Sequence, residues 1–207
     1  MLFADRDDAG RRLAERLSGY AGIADGLVVA LPRGGVVVGR VVADALRLPL
    51  DIVVPRKIGA ESNPEYAIGA VTEEGDVVWN EAERRQADPA YLTAEVAKQK
   101  EEAARRLATY RAGLVDRTFE GRTVIVVDDG VATGLTMRAA LATVRRGRPA
   151  RTVVAVPVCP PGTLVALEAA ADVAIVLELP RAFMAIGAFY ADFPQVEDEE
   201  VLRLMRG

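Results

Sequence analysis

Two adjacent carboxylates, Asp128 and Asp129, stand directly after an apolar run, Val124-Ile125-Val126-Val127, and directly before Gly130-Val131-Ala132-Thr133-Gly134-Leu135-Thr136. Glycines at 130 and 134 let the backbone come close to an anion. The amides between them can form a nest ahead of a helix N-terminus, and the hydroxyls of Thr133 and Thr136 add donors. A phosphate monoester suits such a loop. The carboxylates cannot share that phosphate, because like charges repel. They need hydrogen-bond donors, such as the vicinal hydroxyls of a ribose, or a cation such as Mg²⁺. Sugar hydroxyls beside a phosphate nest describe a ribose 5-phosphate site.

Two other stretches offer cations beside small residues: Arg33-Gly34-Gly35, and Arg56-Lys57 with Gly59. Arginine forks and a lysine point charge suit phosphate oxygens. Competing chemistries are excluded by residue type. The chain has no histidine and a single cysteine, Cys159, which removes Ser-His-Asp triads, thiol–imidazole pairs, Cys/His zinc sites and internal disulfides. Cys159 itself reads as packing. Gly134 is followed by Leu135 where a nucleotide P-loop requires lysine, and Gly34, Gly35 and Gly39 do not make a dinucleotide fingerprint.

The elements that must hold these loops follow from the pattern of apolar residues. Leu27 to Leu31, Asp51 to Val54, Val124 to Val127, Thr152 to Val158 and Val173 to Leu179 are short apolar runs that read as strands of a parallel sheet. Between and before them, Asp7 to Leu17, Val36 to Leu48, Met137 to Arg146 and Gly162 to Ala171 have helical spacing. Ala60 to Glu65 is expected to be a loop, and Ala67 to Thr72 with Asp76 to Trp79 a β-hairpin. A long helix is expected from Thr93 as its N-cap, and a last helix over Asp198 to Met205. The fold class is thus α/β, a doubly wound, mainly parallel sheet, with its ligands beyond the carboxyl ends of the strands. The three basic or acidic loops all fall at those ends.

With 207 residues, 51% apolar, one domain over 1–207 is expected, with a core of about 27–179 and 180–207 joining the N-terminal segment as a hood. A formal charge of −4 argues against a nucleic-acid partner. No membrane span and no signal peptide are expected, so the expected location is cytoplasmic.

Val124 to Thr136 resembles the signature of type I phosphoribosyltransferases for 5-phosphoribosyl 1-pyrophosphate (PRPP): a hydrophobic run, two acidic residues and a small loop ending Thr-Gly-x-Thr. The resemblance covers about Leu27 to Leu179. It implies that Asp128 and Asp129 hold the ribose hydroxyls and Mg²⁺, and that Gly130, Val131, Ala132, Thr133, Gly134, Leu135 and Thr136 bind the 5-phosphate. Arg33, Gly34 and Gly35 match the family's pyrophosphate loop. Arg56 and Lys57 match the Arg-Lys-x-Gly that begins its mobile catalytic loop, and would also face the pyrophosphate. The reaction implied is Mg²⁺-dependent transfer of phosphoribosyl from PRPP to a nitrogenous acceptor with release of pyrophosphate. A non-catalytic PRPP sensor is the alternative. The family also implies a homodimer and small-molecule substrates.

The acceptor stays open. Ala132 stands where the 6-oxopurine enzymes keep an aspartate, and the Ala-Thr-Gly form is closer to the adenine enzymes, in which a mobile-loop glutamate is implicated. Glu65, Glu73 and Glu74 are candidates by location, with Glu65 grouped with Arg56 and Lys57 as the catalytic set. Phe183, Phe189 and Tyr190 form a local aromatic enrichment that either stacks on a flat base as a hood or makes a small satellite core.

Overall fold

The computed structural model describes residues 2–115 and 118–206, with Glu65 described through its backbone only. The chain opens with α1 (Arg6–Arg16), then β1 (Gly26–Ala30), α2 (Gly34–Leu46) and β2 (Leu50–Ile52). Next come β3 (Arg56–Ala60), β4 (Asn63–Val71), β5 (Val77–Trp79), α3 (Glu81–Arg84) and α4 (Pro89–Tyr110). It closes with β6 (Thr123–Val127), α5 (Leu135–Arg146), β7 (Arg151–Val158), α6 (Pro161–Ala170), β8 (Val173–Glu178) and α7 (Asp198–Arg206).

Five strands form a parallel sheet in the order β2-β1-β6-β7-β8. β1, β6 and β7 are buried on both faces, β8 at the edge is half-buried along its length, and alternate residues go to opposite layers. Leu27, Val29, Val124, Val126, Val154 and Val156 meet Met137, Leu141 and Val144 of α5 and Leu167 of α6. Val28, Ile125, Val127 and Val153 meet Leu13 and Leu17, at the end of α1, and Val38, Val42 and Leu46 of α2. Each fully buried Val or Leu contributes roughly 1.5–3 kcal/mol. At the sheet edge, Ile52 and Val54 are covered by Ala103 and Tyr110 of α4 and by Val201 and Met205 of α7.

Three differences from the sequence reading have physical causes. Residues 60–65 are not an open loop. Arg56 to Ala60 and Asn63 onward pair as antiparallel strands around a turn at Glu61 and Ser62, so the expected hairpin is a three-stranded meander, β3-β4-β5. Ile58, Ile68 and Val71 bury one face of it with Leu92 and Val96 of α4, a tertiary contact that outweighs the polar composition of the turn. The long helix begins at Pro89 rather than at Thr93. Asp88 is the N-cap, its carboxylate accepting the Ala90 N–H at 2.9 Å, and Pro89 has the fixed φ that suits a first turn. Thr93 instead donates its hydroxyl to the Pro89 carbonyl. The second core strand ends at Ile52; Val53 and Val54 stay buried beyond it, and the Val54 N–H is met by the Glu73 carboxylate.

Candidate functional site

The order β2-β1-β6 places side by side the strands that feed the three loops. β1 leads through Leu31 and Pro32 to Arg33 and α2, β6 leads to Asp128, and β2 leads to β3, which starts at Arg56. The chain after β1 crosses to one side of the sheet and the chain after β6 to the other, which opens a crevice at their carboxyl ends.

The acidic pair sits under the start of α2. A side-chain carbon built on Gly34 would lie 1.9 Å from Asp129 Oδ2, and one on Gly35 would lie 2.7 Å from Asp128 Oδ1. Only glycine lets this loop rest on two carboxylates. The peptide Pro32–Arg33 is cis. Asp128 accepts the N–H of Asp129 at 2.8 Å. Burial pushes both carboxyls above their usual range: Asp128 well above, with Asp129 as a further cause, and Asp129 against the opposing pull of Arg6.

Arg6 had no part in the sequence reading. Its Nε donates to Asp129 Oδ2 at 2.7 Å, its Nη1 donates to the Pro194 carbonyl at 2.8 Å, and its guanidinium carbon lies 3.7 Å from the centre of the Phe193 ring. No signal for this partner stood in the sequence: the helical spacing starts at Asp7, and only the structure places Arg6 as the first residue of α1.

The loop after Asp129 divides in two. Val131 is buried and its N–H is taken by the Val158 carbonyl at 2.9 Å, while a side chain on Gly130 would strike Ile186. This half is structural, so the Val131 amide is not part of an anion nest. The Ala132 carbonyl accepts from the Thr163 hydroxyl at 2.6 Å, which pins the loop to α6. Beyond it, Ala132 and Thr133 are exposed. Gly134 is left-handed at φ 79° as the N-cap of α5, a conformation that disfavours any side chain. Leu135 is buried against Ala70 and Ala139, and its N–H and that of Thr136 belong to the first turn of α5, which has no intrahelical acceptors for them.

The cationic residues are engaged within the protein. Arg33 Nη1 lies 3.3 Å from Glu197 and 3.4 Å from Asp198 at the start of α7. Arg56 donates from Nε to Gln99 of α4 at 3.0 Å, and burial, with Arg106 nearby, lowers its pKa. Lys57 is half-buried in β3.

Among the three glutamates, Glu73 is buried and holds the Val54 N–H, and Glu74 pairs with Arg146. Glu65 lies in β4, and its side chain is outside the described residues. Tyr190 is a core residue, 2% exposed, between Phe3 and Phe193, and donates its hydroxyl to the Asp129 carbonyl at 2.5 Å. It is therefore not a surface for stacking. Phe183 and Phe189 remain partly exposed, with ring centres 5.0 Å apart.

The model of the phosphoribosyl transferase domain matches residues 4–173. The chain belongs to the phosphoribosyl transferase family. Two relatives from Mycobacterium tuberculosis, whose names assign them provisionally as phosphoribosyl transferases, are each 40% identical over 206 residues. That alignment takes in 99% of this chain and 46% of each relative, so the chain spans about half their length. TT1426 of Thermus thermophilus, known by crystal structure, is 45% identical, with a TM-score of 0.82 and coverage of 99% of this chain and 98% of that one. A purine phosphoribosyltransferase of Pyrococcus horikoshii, at 16% identity, a TM-score of 0.50 and coverage of 93% and 89%, shares the fold. Asp128, Asp129 and the Thr133-Gly134-Leu135-Thr136 stretch behind them all lie within the residues matched by this phosphoribosyl transferase family model. No helix among the described residues is long and apolar enough to cross a membrane.

Proposed function

We propose that the protein is a phosphoribosyltransferase that uses PRPP and Mg²⁺ to join phosphoribosyl to a nitrogen nucleophile. The observation that carries this reading is the seat of Asp128 and Asp129 directly beneath Gly34 and Gly35, with the N-terminus of α5 beyond them. The carboxylates would accept the ribose 2- and 3-hydroxyls. The amides opening α5, with Thr133 and Thr136, would take the 5-phosphate. Arg33, Arg56 and Lys57 would turn to the pyrophosphate from the ends of β1 and β2.

The donor set fits Mg²⁺, which favours carboxylate oxygens completed by substrate phosphates. Asp128 and Asp129 would hold it, and when bound it supplies positive charge against the pyrophosphate oxygens. In the reaction the acceptor nitrogen bonds to C1 of the ribose as the C1–oxygen bond breaks. Pyrophosphate leaves with the electron pair, and the nitrogen loses its proton. The chain's contribution is to align the two reactants, neutralise the leaving group and exclude water. No protein nucleophile is required.

A PRPP sensor without turnover is the second reading, supported by the engagement of Arg33 with α7 and of Arg56 with α4. Calorimetric titration of PRPP with Mg²⁺, followed by a thermal-shift screen of nitrogen heterocycles and a pyrophosphate-release assay, tests the proposal. Binding that is lost in the Asp128→Asn, Asp129→Asn double variant, with pyrophosphate released on adding one acceptor, supports transfer. Tight PRPP binding with no release across the panel favours the sensor, and no PRPP binding sinks both.

A further inference from the structure

The side chain and the backbone of Asp129 are both held by the two ends of the chain. Arg6, at 8% exposure, meets the carboxylate of Asp129, also at 8%, and Tyr190 meets its carbonyl. The segment that delivers Arg6 is itself strapped to the one that delivers Tyr190. The N–H groups of Leu2 and Phe3 go to the Phe189 carbonyl, while those of Ala191 and Asp192 return to Phe3 and Ala4. From the other side, Gly10 lets α1 sit close on α2, since a side chain there would lie 2.8 Å from Val41 Cβ. Arg6 is therefore fixed at its backbone by a strap and a helix contact, and at its guanidinium by a carboxylate, a carbonyl and an aromatic face.

This is more than charge balance requires. A buried carboxylate could be neutralised by any nearby cation, but a planar guanidinium that bonds Asp129 through Nε and the Pro194 carbonyl through Nη1 also fixes where Oδ2 is held. A ribose hydroxyl bonds a carboxylate only within a narrow range of distance and angle, so the placement of that oxygen bears on the bond.

Resting on the reading of Asp129 as a ribose ligand, we propose that Arg6 is a positioning residue for the donor sugar: it holds Oδ2 of Asp129 so that the carboxylate is presented to the ribose hydroxyls. Arg6 touches no reacting atom. The ion pair it forms is neutral, so it adds no net positive charge beside the anomeric carbon. Its effect is exerted equally on the bound donor and on the transition state. Loss of Arg6 therefore raises the KM for PRPP and leaves kcat nearly unchanged.

The experiment compares PRPP, ribose 5-phosphate and inorganic phosphate by calorimetry in the wild type, Arg6→Met and Arg6→Lys. Arg6→Met is expected to weaken PRPP and ribose 5-phosphate by about tenfold or more, the scale of one hydrogen bond to a charged group, and to leave phosphate unchanged. Arg6→Lys keeps the charge without the fork and is expected to fall between. It also decides the matter if Arg6→Met does not fold. Equal affinities in wild type and variants, or a proportional loss for all three ligands, would overturn the inference. If the wild type binds neither sugar phosphate, the functional reading fails and this inference with it. If the wild type binds both and Arg6 proves indifferent, only the inference fails.

Discussion

Arg33 Nη1 lies 3.4 Å from Asp198 Oδ1, and that same oxygen accepts the hydroxyl of Tyr110 at 2.7 Å. A residue from the loop after β1, one from the long helix α4 and one from α7 thus meet at a single carboxylate. The Tyr110 hydrogen bond, followed by Arg33, holds Asp198 below its usual range, and burial, followed by Asp198, pushes Tyr110 up to about 12. Glu197, 3.3 Å from Arg33, completes the arrangement.

This tether is weak enough to exchange for a substrate anion. Arg33 is partly exposed and Glu197 largely so, and ion pairs of this kind contribute about 0–1 kcal/mol. Glu197→Gln should therefore leave urea-denaturation stability within about 0.5 kcal/mol of wild type. It should tighten PRPP binding modestly by removing one of the two carboxylates on Arg33, the contact with Asp198 remaining, whereas Arg33→Ala weakens it. Unchanged PRPP affinity in Glu197→Gln, measured by calorimetry, would show that Glu197 does not compete with the pyrophosphate for Arg33.

The meander is anchored at one end by α5. Thr143 donates to Asp76 at 2.6 Å and lies 2.9 Å from the Thr72 hydroxyl, and Arg146 also pairs with Asp76. Thr143→Val keeps the shape and removes the hydroxyl from a buried site, at an expected cost of about 1–3 kcal/mol. Amide exchange should accelerate in residues 72–77 while β6 remains protected, because only the local tie is lost. Exchange that rises equally in β6 would mean that the bond supports the whole sheet instead.

Asp128 gives a pH dependence of definite sign. Its carboxyl is held well above the usual range by burial first and by Asp129 second, so the folded state binds a proton more tightly than the unfolded chain. Stability from this group is therefore greatest at low pH and falls as pH rises from the unfolded value, about 3.9, through the raised folded one. Asp128→Asn should raise the Tm at pH 8, and the gain should shrink toward zero near pH 4, while PRPP affinity is lost. Such an exchange of stability for function is expected of a buried binding site. A variant less stable than wild type at pH 8, in scanning calorimetry at both pH values, would contradict it.

The sequence by itself determined the parallel sheet and the place of the three loops at its carboxyl edge. Apolar runs of strand length recur between amphipathic stretches, and that periodicity is a local property of neighbouring residues. The acidic pair and Gly134 were legible for the same reason, since a carboxylate doublet and a left-handed helix cap are written in consecutive positions. The start of α4 was not legible, because Asp88-Pro89 and Thr93 are both acceptable caps and only the packing of Leu92 and Val96 on the meander selects the earlier one. The partners of the site residues were decided by tertiary structure alone. Arg6 and Asp129 are 123 positions apart, Arg33 and Asp198 are 165, and nothing in either local pattern records the other. Folding brings the chain ends over the carboxyl edge of the sheet, where burial makes the pairing of Arg6 with Asp129 specific, while Arg33 and Asp198 meet at a partly exposed rim.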